Sequence, residues 1–331
     1  MDINEEVILK YNIDSDKNIK GRGYQIYFDN TDNSSIYKLY FLKGSIEKAE
    51  AIEQLVKKTS ISGDEYIRNK EGNLVTVDEY EDKYILKRSI KEGTFDIKSI
   101  KDIEAGAKTL AKLHIELQDV YREKNGQNTF RLPKSENIIC EYERHNVELK
   151  RIRNFLRTRK QKNKFEQNIY SNIGSYIEIA IESTEKLKST KYEELEEAAH
   201  MHGCVCHGEY NHHTVLIGNG KVHVIDFENA GTGIQIKDLY FYIRKILEKH
   251  DWNVELGRKI VKSYNDIKKI SDDEKQIMKV MLMYPEKFWK VLNQYYNSSK
   301  SQLFERNVLK MNKVYEQQDK KEQFIVNLWN F

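Results

Sequence analysis

The chain has 331 residues, 39% hydrophobic and 11% aromatic, ample for a sizeable core built as one large domain or two lobes. A net charge of +3 is too mild to select a partner by bulk electrostatics, and a nucleic-acid role would want a stronger one. Three cysteines, Cys140, Cys204 and Cys206, are an odd and sparse set that excludes a disulfide-built secreted scaffold.

At the start, MDINEEVILKYNID places acids where a signal peptide needs basic residues, so synthesis in the cytoplasm without a signal peptide is expected. No window approaches ~18 consecutive apolar residues, so no membrane span is expected. GYQIYFDN and SSIYKLYFL are rich in β-branched and aromatic residues across the polar turn NTDNS and predict two strands. SIEKAEAIEQLVKK follows as a helix, with Ser45 as N-cap and Ile46, Ala49, Ile52 or Glu53, and Val56 near one face. GNLVTVDEYEDKYILKRS gives two more strands across a charged turn. Residues 1–90 thus read as a small α+β lobe, with a hinge at about 88–94.

Residues 91–331 read as a larger helical lobe. Ile100, Ile103, Ala107, Leu110 and His114 recur at helical spacing, and another helix runs from about 136 into VELKRIRNFLRTRKQKNKFE. Strand character returns only at GCVC, TVLI and KVHVID. Everything after Asp238 looks helical, with Pro285 fitting a first turn.

In HGEYNHHTVLIGNGKVHVIDF, residues 207–227, a short strand ends in a tight polar turn. A hairpin across Gly218-Asn219-Gly220 then brings Asp226 back beside that turn. Two acids and a third polar group converge there. Phosphoryl transfer needs such a set: one acid to orient an acceptor hydroxyl, and oxygen ligands to hold Mg²⁺ on nucleotide phosphates.

The stretch resembles the Brenner motif of aminoglycoside phosphotransferase-like and choline kinase-like enzymes: His-Gly-Asp, four residues, Asn, then Ile-Asp-Phe/Trp. KGRG at 20–23, GTFDIKSIKDIEAGAKTLAKLH, ERHNVELKRIRNFLRTRKQKNKFE and MYPEKFWKVLNQYYNSSKS are similar to CotS-type spore coat proteins. The resemblance implies a two-lobed, protein-kinase-like α+β fold with a small β-rich N-lobe and a large helical C-lobe. It implies ATP and Mg²⁺ as cofactors. His207 would support the catalytic loop, Glu209 would take the place of the catalytic Asp, and Asp238 would brace the loop. Asp226 matches the main metal ligand, and Thr214 stands where the metal-ligating Asn lies. Lys38 matches the lysine that grips the α- and β-phosphates, with Lys43 as a rival. Glu50 is the expected partner of that lysine, with Glu53 second.

Two departures bear on activity. Glu209 adds a methylene and moves its carboxylate by roughly an ångström, a misplacement that can cost ~10²-fold in rate. Thr214 offers a neutral hydroxyl with less reach than an Asn amide. Residues 21–23, Gly-Arg-Gly, are a weak stand-in for a phosphate-covering glycine loop.

HMHGCVCH, residues 200–207, holds potential zinc ligands, but Cys-x-Cys alone is not a zinc-finger spacing, and buried strand cysteines are the plainer reading. KRIRNFLRTRKQKNK carries eight basic residues and no acid; with Leu149, Ile152 and Leu156 on its apolar face, a solvated basic face is favoured over an anionic partner. Two functions stand. One is a spore coat protein, assembled with other coat proteins and located in the coat, whose nucleotide site has weak or no catalysis, a pseudokinase. The other is an active ATP-dependent phosphotransferase acting on a hydroxyl of a small molecule or sugar.

Overall fold

The computed structural model describes all residues except 1–2, 16–17, 21–23, 29, 31–34, 43, 62, 91–92, 126–129, 219, 298–303 and 330–331. Gly-Arg-Gly at 21–23, the rival Lys43, part of the expected hinge at 88–94 and the tip residue Asn219 therefore lie outside the described residues. The chain forms two compact units, one of Met1–Ser135, Ala199–Tyr242 and Ser263–Lys268, the other of Glu136–Ala198, Ile243–Lys262 and Lys269–Phe331.

The first unit begins with α1 (Ile3–Ile8) and the strands β1 (Asn18–Lys20), β2 (Tyr24–Phe28) and β3 (Ser35–Phe41). Helix α2 (Ile46–Val56) starts at Ser45, whose hydroxyl accepts the Lys48 N–H, as expected of an N-cap. Then come β4 (Asp64–Ile67), β5 (Val75–Val77) and β6 (Lys83–Ile90). Among the described residues these strands make one antiparallel sheet, ordered β1-β2-β3-β6-β4, with β5 also paired to β6. Strands β1 and β4 are not anticipated by the sequence pattern.

Alternation along the strands gives this sheet two different faces. Tyr27, Leu39, Tyr84 and Leu86 pack with Val7 and Tyr11 from the N-terminal segment on the outer face. On the inner face, Ile85 packs with Ala49 of α2, Leu74 and Val75. Ile85, Lys87 and Ser89 share that inner face by their period of two, as do Lys38 and Tyr40 on β3. Lys38 lies directly opposite Lys87 in the β3–β6 register.

Helix α3 (Ile100–Asn125) buries Ile103, Ala107, Leu110 and His114. It is followed in this unit by β7 (Val205–Cys206), the hairpin β8 (Val215–Gly218) and β9 (Lys221–Val224), a 3-10 turn Phe227–Asn229 and β10 (Gly231–Thr232). Strand β7 pairs with β10 and β8 with β9. Tyr210 donates its hydroxyl to the Gly106 carbonyl (2.7 Å) and Tyr242 donates to that of Ile103 (2.8 Å), which ties α3 to the segment carrying the candidate site.

The second unit is helical. The expected helix from 136 into KFE is instead two, α4 (Ile138–Thr158) and α5 (Lys164–Lys188). The break is a capping box: Asn163 accepts the Glu166 N–H, and Glu166 accepts the Asn163 N–H. Leu149 and Leu156 of α4 are buried while Arg151, Arg153 and Arg157 are exposed, an apolar stripe beneath a solvated basic face. Helix α6 (Tyr192–Met201) begins in this unit and ends in the first; α7 (Ile236–Leu247) and α8 (Val254–Asn265) also have residues in both. The chain closes with α9 (Asp272–Met283), α10 (Glu286–Asn297), α11 (Phe304–Glu316) and α12 (Gln318–Asn327). Stacked rings, Tyr142 on Tyr284 (3.6 Å between centroids) and Tyr176 on Phe288 (4.0 Å), account for part of the tyrosine content as core. No helix among the described residues is long and apolar enough to cross a membrane.

Candidate functional site

All residues of the candidate site belong to the first unit. At its base is Asp238, in the first turn of α7 and 1% exposed. Its carboxylate accepts the His207 N–H (2.7 Å) and the Gly208 N–H (3.0 Å). It also accepts His114 Nε2–H (3.0 Å), while the Tyr264 hydroxyl lies 2.7 Å from His114 Nδ1. Burial alone raises the carboxyl pKa, but the hydrogen bonds from His114 and from the His207 N–H outweigh it and hold Asp238 below the usual carboxylate range. Asp238 is the anionic anchor of the 207–209 turn.

His207 is fully buried. Its Nε2 lies 3.0 Å from the Ile225 carbonyl and its Nδ1 3.3 Å from the Glu209 N–H. A carbonyl only accepts and an N–H only donates, so the ring is the neutral Nε2–H tautomer. Burial pushes its pKa down, in agreement. The ring holds the turn to the strand end that delivers Asp226. Gly208 between them has φ +84°, and a Cβ there would fall 2.2 Å from the Asn229 carbonyl oxygen. Gly208→Ala is therefore expected to cost ~2–3 kcal/mol through left-handed strain and overpacking. An unchanged urea midpoint in that variant would contradict this account of the turn.

Glu209 is exposed, and its carboxylate accepts an N–H from the Asn229 amide (2.9 Å). Thr214 is 4% exposed, and its hydroxyl closes its own turn: it accepts the Asn211 N–H (3.0 Å) and donates to the Asn211 carbonyl (3.0 Å). Asp226 takes left-handed geometry (φ 65°, ψ 61°), which a short acid tolerates better than most residues. Its carboxylate accepts the Tyr40 hydroxyl (2.9 Å), and its N–H donates to Asp64 (2.9 Å). Burial, then the charges of Asp226 and Asp64, push the Tyr40 pKa far up, so this phenol stays a donor.

Lys38 is 6% exposed on the inner face, with its ammonium 5.6 Å from the Tyr24 ring centroid. The structure does not join it to Glu50, which is exposed on α2. The second choice, Glu53, is the glutamate α2 buries, and it is ion-paired with Arg68 (2.5 Å). Three residues apart on a helix is a rotation of roughly 60°, which separates the solvent side from the packed side. No ion pair of Lys38 is found among the described residues.

On the same inner face Lys87, 1% exposed on β6, is a buried cation that does have acidic partners. Its ammonium contacts Asp64 (3.5 Å) and Glu228. It also lies over the rings of Tyr40 (4.8 Å) and Tyr66 (5.0 Å). Asp64 has a fully buried side chain, and its other oxygen accepts the Ser89 hydroxyl (2.8 Å). Sequence reasoning missed Asp64, Tyr40 and Glu228 and read Lys87 only as part of a strand. The inner-face positions of β6, Lys83, Ile85, Lys87 and Ser89, are mostly polar, so no local pattern marked Lys87.

A Mg²⁺ ion needs several oxygen ligands in near-octahedral array. The hydroxyl of Thr214 is engaged inside its turn, and the Asn211 side-chain oxygen accepts the His213 N–H (2.9 Å). The positive charge within the Asp64–Glu228 cluster is already Lys87. Among the described residues no group of three or more His, Cys, Asp or Glu is gathered as a metal centre, the His-Cys stretch at 200–207 included. As placed, these residues do not fit a divalent centre shared by Asp226 and Thr214.

The sequence profile described as "Spore coat putative kinase YutH" matches residues 4–328. No curated protein matches the chain. Among solved structures, an aminoglycoside phosphotransferase from Alicyclobacillus acidocaldarius aligns over 98% of this chain and 94% of its own, with 15% identity and a TM-score of 0.78. A spectinomycin phosphotransferase, solved with ADP and spectinomycin, aligns over 96% of this chain and 97% of its own (16% identity, TM-score 0.65). An amicoumacin kinase in complex with AMP-PNP and Ca²⁺ aligns over 96% and 92% (12% identity, TM-score 0.60). These likenesses show the fold: an aminoglycoside phosphotransferase-like kinase fold with a small β-sheet N-terminal lobe and a helical C-terminal part.

Proposed function

The chain belongs to this spore coat kinase family, and from that premise we propose that it is a coat protein that binds an adenine nucleotide and transfers phosphate weakly or not at all. One observation carries the nucleotide reading. Lys38 lies on the inner face of the sheet beside Tyr40, whose hydroxyl is bonded to Asp226, so a buried cation and the loop acid are presented together. Solved proteins of this fold carry ADP or AMP-PNP, which supports an adenine nucleotide as the ligand. In this reading Lys38 meets the α- and β-phosphates, while Asp238 and His207 fix the loop on which Glu209 sits. Other coat proteins are its partners, and the coat its location.

The same geometry supports weak transfer. The hydroxyl of Thr214 is turned inward, Glu50 does not steady Lys38, and Glu209 is longer than the acid its place calls for. The second reading, transfer to a hydroxyl of a small molecule or sugar, is favoured by the exposure of the Glu209 carboxylate, which an acceptor could reach. Titration of the purified protein with ADP and ATP tests the proposal. Lys38→Met should weaken binding by ~10-fold, the loss of one charge-assisted phosphate contact. A folded parent that binds neither nucleotide, or a Lys38 variant with parental affinity, rejects this site.

A further inference from the structure

Lys87 occupies an unusual place for a lysine. Strand alternation turns it to the inner face, directly across from Lys38, where two like charges repel. Carboxylates hold it there. Asp64, from the neighbouring strand β4, is fixed by the Ser89 hydroxyl and the Asp226 N–H, while Glu228 comes from the turn just after Asp226. Three acids, Asp64, Asp226 and Glu228, thus lie around the Lys87 ammonium, the first and last in contact with it. The two partners of Lys87 differ in one respect. The Asp64 side chain is fully buried, whereas that of Glu228 is 37% exposed. Asp64 is a fixed counter-ion; Glu228 is a rim carboxylate that water can take up when it swings away.

We propose that the Lys87 ammonium stands in for the divalent cation: an incoming phosphate displaces the Glu228 carboxylate from Lys87, and nucleotide binds without metal. The proposal rests on the nucleotide-binding reading. The exchange is one anionic oxygen for another on a preplaced cation, and Asp64 keeps the site neutralised throughout. A divalent ion near Asp226 would instead have to share the acid cluster with a buried ammonium, and like charges at that range in a weakly screened interior oppose each other strongly. Burial holds the Lys87 pKa below the usual lysine range and Lys38 adds to this, against the opposing pull of Asp64 and Asp226.

The test is a titration of the full-length chain with a fluorescent ADP analogue, in excess EDTA and in excess MgCl₂. The parent should show affinities within about twofold of each other. Lys87→Met should lose ~10-fold or more in EDTA and regain much of it with Mg²⁺, whereas Lys87→Arg should stay metal-independent. Thermal melts check that the variants fold. Should Lys87→Met fail that check, Glu228→Gln serves, because releasing the ammonium should tighten EDTA binding by a few-fold. Parent affinity that falls ~10-fold or more in EDTA overturns the proposal, as does a Glu228 variant with parental affinity. Absence of binding in both conditions overturns the nucleotide-binding reading beneath it, a result distinct from metal-dependent binding.

Discussion

Asp238→Asn is expected to destabilise the protein by ~3–5 kcal/mol at neutral pH, the range for breaking a buried charge cluster by removing one member. The carboxylate is 1% exposed and receives three donors: the N–H groups of His207 and Gly208 and Nε2–H of His114. An Asn offers one acceptor oxygen and an NH₂ group that cannot accept, so at least one of the three donors is left facing another donor. An unmet buried donor costs ~1–3 kcal/mol by itself, and loss of the charge adds to it. The pH dependence has a definite sign. The folded pKa of Asp238 is lowered, so its stabilising contribution is present above the unfolded value of about 4 and is lost as pH falls through the folded value. The parent should therefore lose stability on acidification below about pH 4, and the Asn variant should lose less in that window. Urea melts at neutral and acid pH measure both effects. A variant with the parental midpoint at pH 7, or with the same loss in acid, would show that Asp238 is not the anchor of the loop.

The anchor was legible because it lies within one short stretch: 207–238 contains the turn, the hairpin and the acid that fixes them. The Ser45 cap was equally local, and the structure places it as expected. What could not be read was set by distant pairing. Strand β4, Asp-Glu-Tyr-Ile, has two acids in four residues and no apolar alternation, so nothing in it signals a strand. Asp64 is buried because Ser89, Lys87 and the Asp226 N–H converge on it, and Asp226 is 162 residues away. Lys87 looked like an ordinary strand lysine for the same reason, since Glu228 is 141 residues distant. The division of α4 from α5 was different. Its signal, Asn163 followed three residues later by Glu166, is visible in the sequence, but the long run of helix-forming residues around it hid the stop. Glu50 against Glu53 turned on roughly 60° of helix phase, which a single apolar stripe specifies only loosely.

If these departures limit catalysis, combining Glu209→Asp, Thr214→Asn and Lys87→Met should create magnesium-dependent ATP turnover ~10²-fold or more above the parent. Each change acts on a different obstacle. Thr214 now uses its hydroxyl within its own turn, and an Asn amide there reaches further toward Asp226. Glu209 is held by Asn229, and shortening it releases that bond and draws the carboxylate back toward the acceptor position. Removing the Lys87 ammonium leaves Asp64 and Glu228 without their cation, a deficit that a divalent ion can make good. Any single change leaves the other two obstacles in place, so the single variants should stay near the parental rate and the gain should appear only on combination. Such non-additivity is expected of groups that serve one reaction centre. Steady-state turnover of all seven variants beside the parent, with and without Mg²⁺, is the measurement. A parent that already phosphorylates a defined hydroxyl compound rapidly, and is slowed by the Glu209 and Thr214 changes, would make those two residues working adaptations. Weak transfer would then be the wrong reading, and Glu209, exposed at the rim, would be the acid that orients the acceptor.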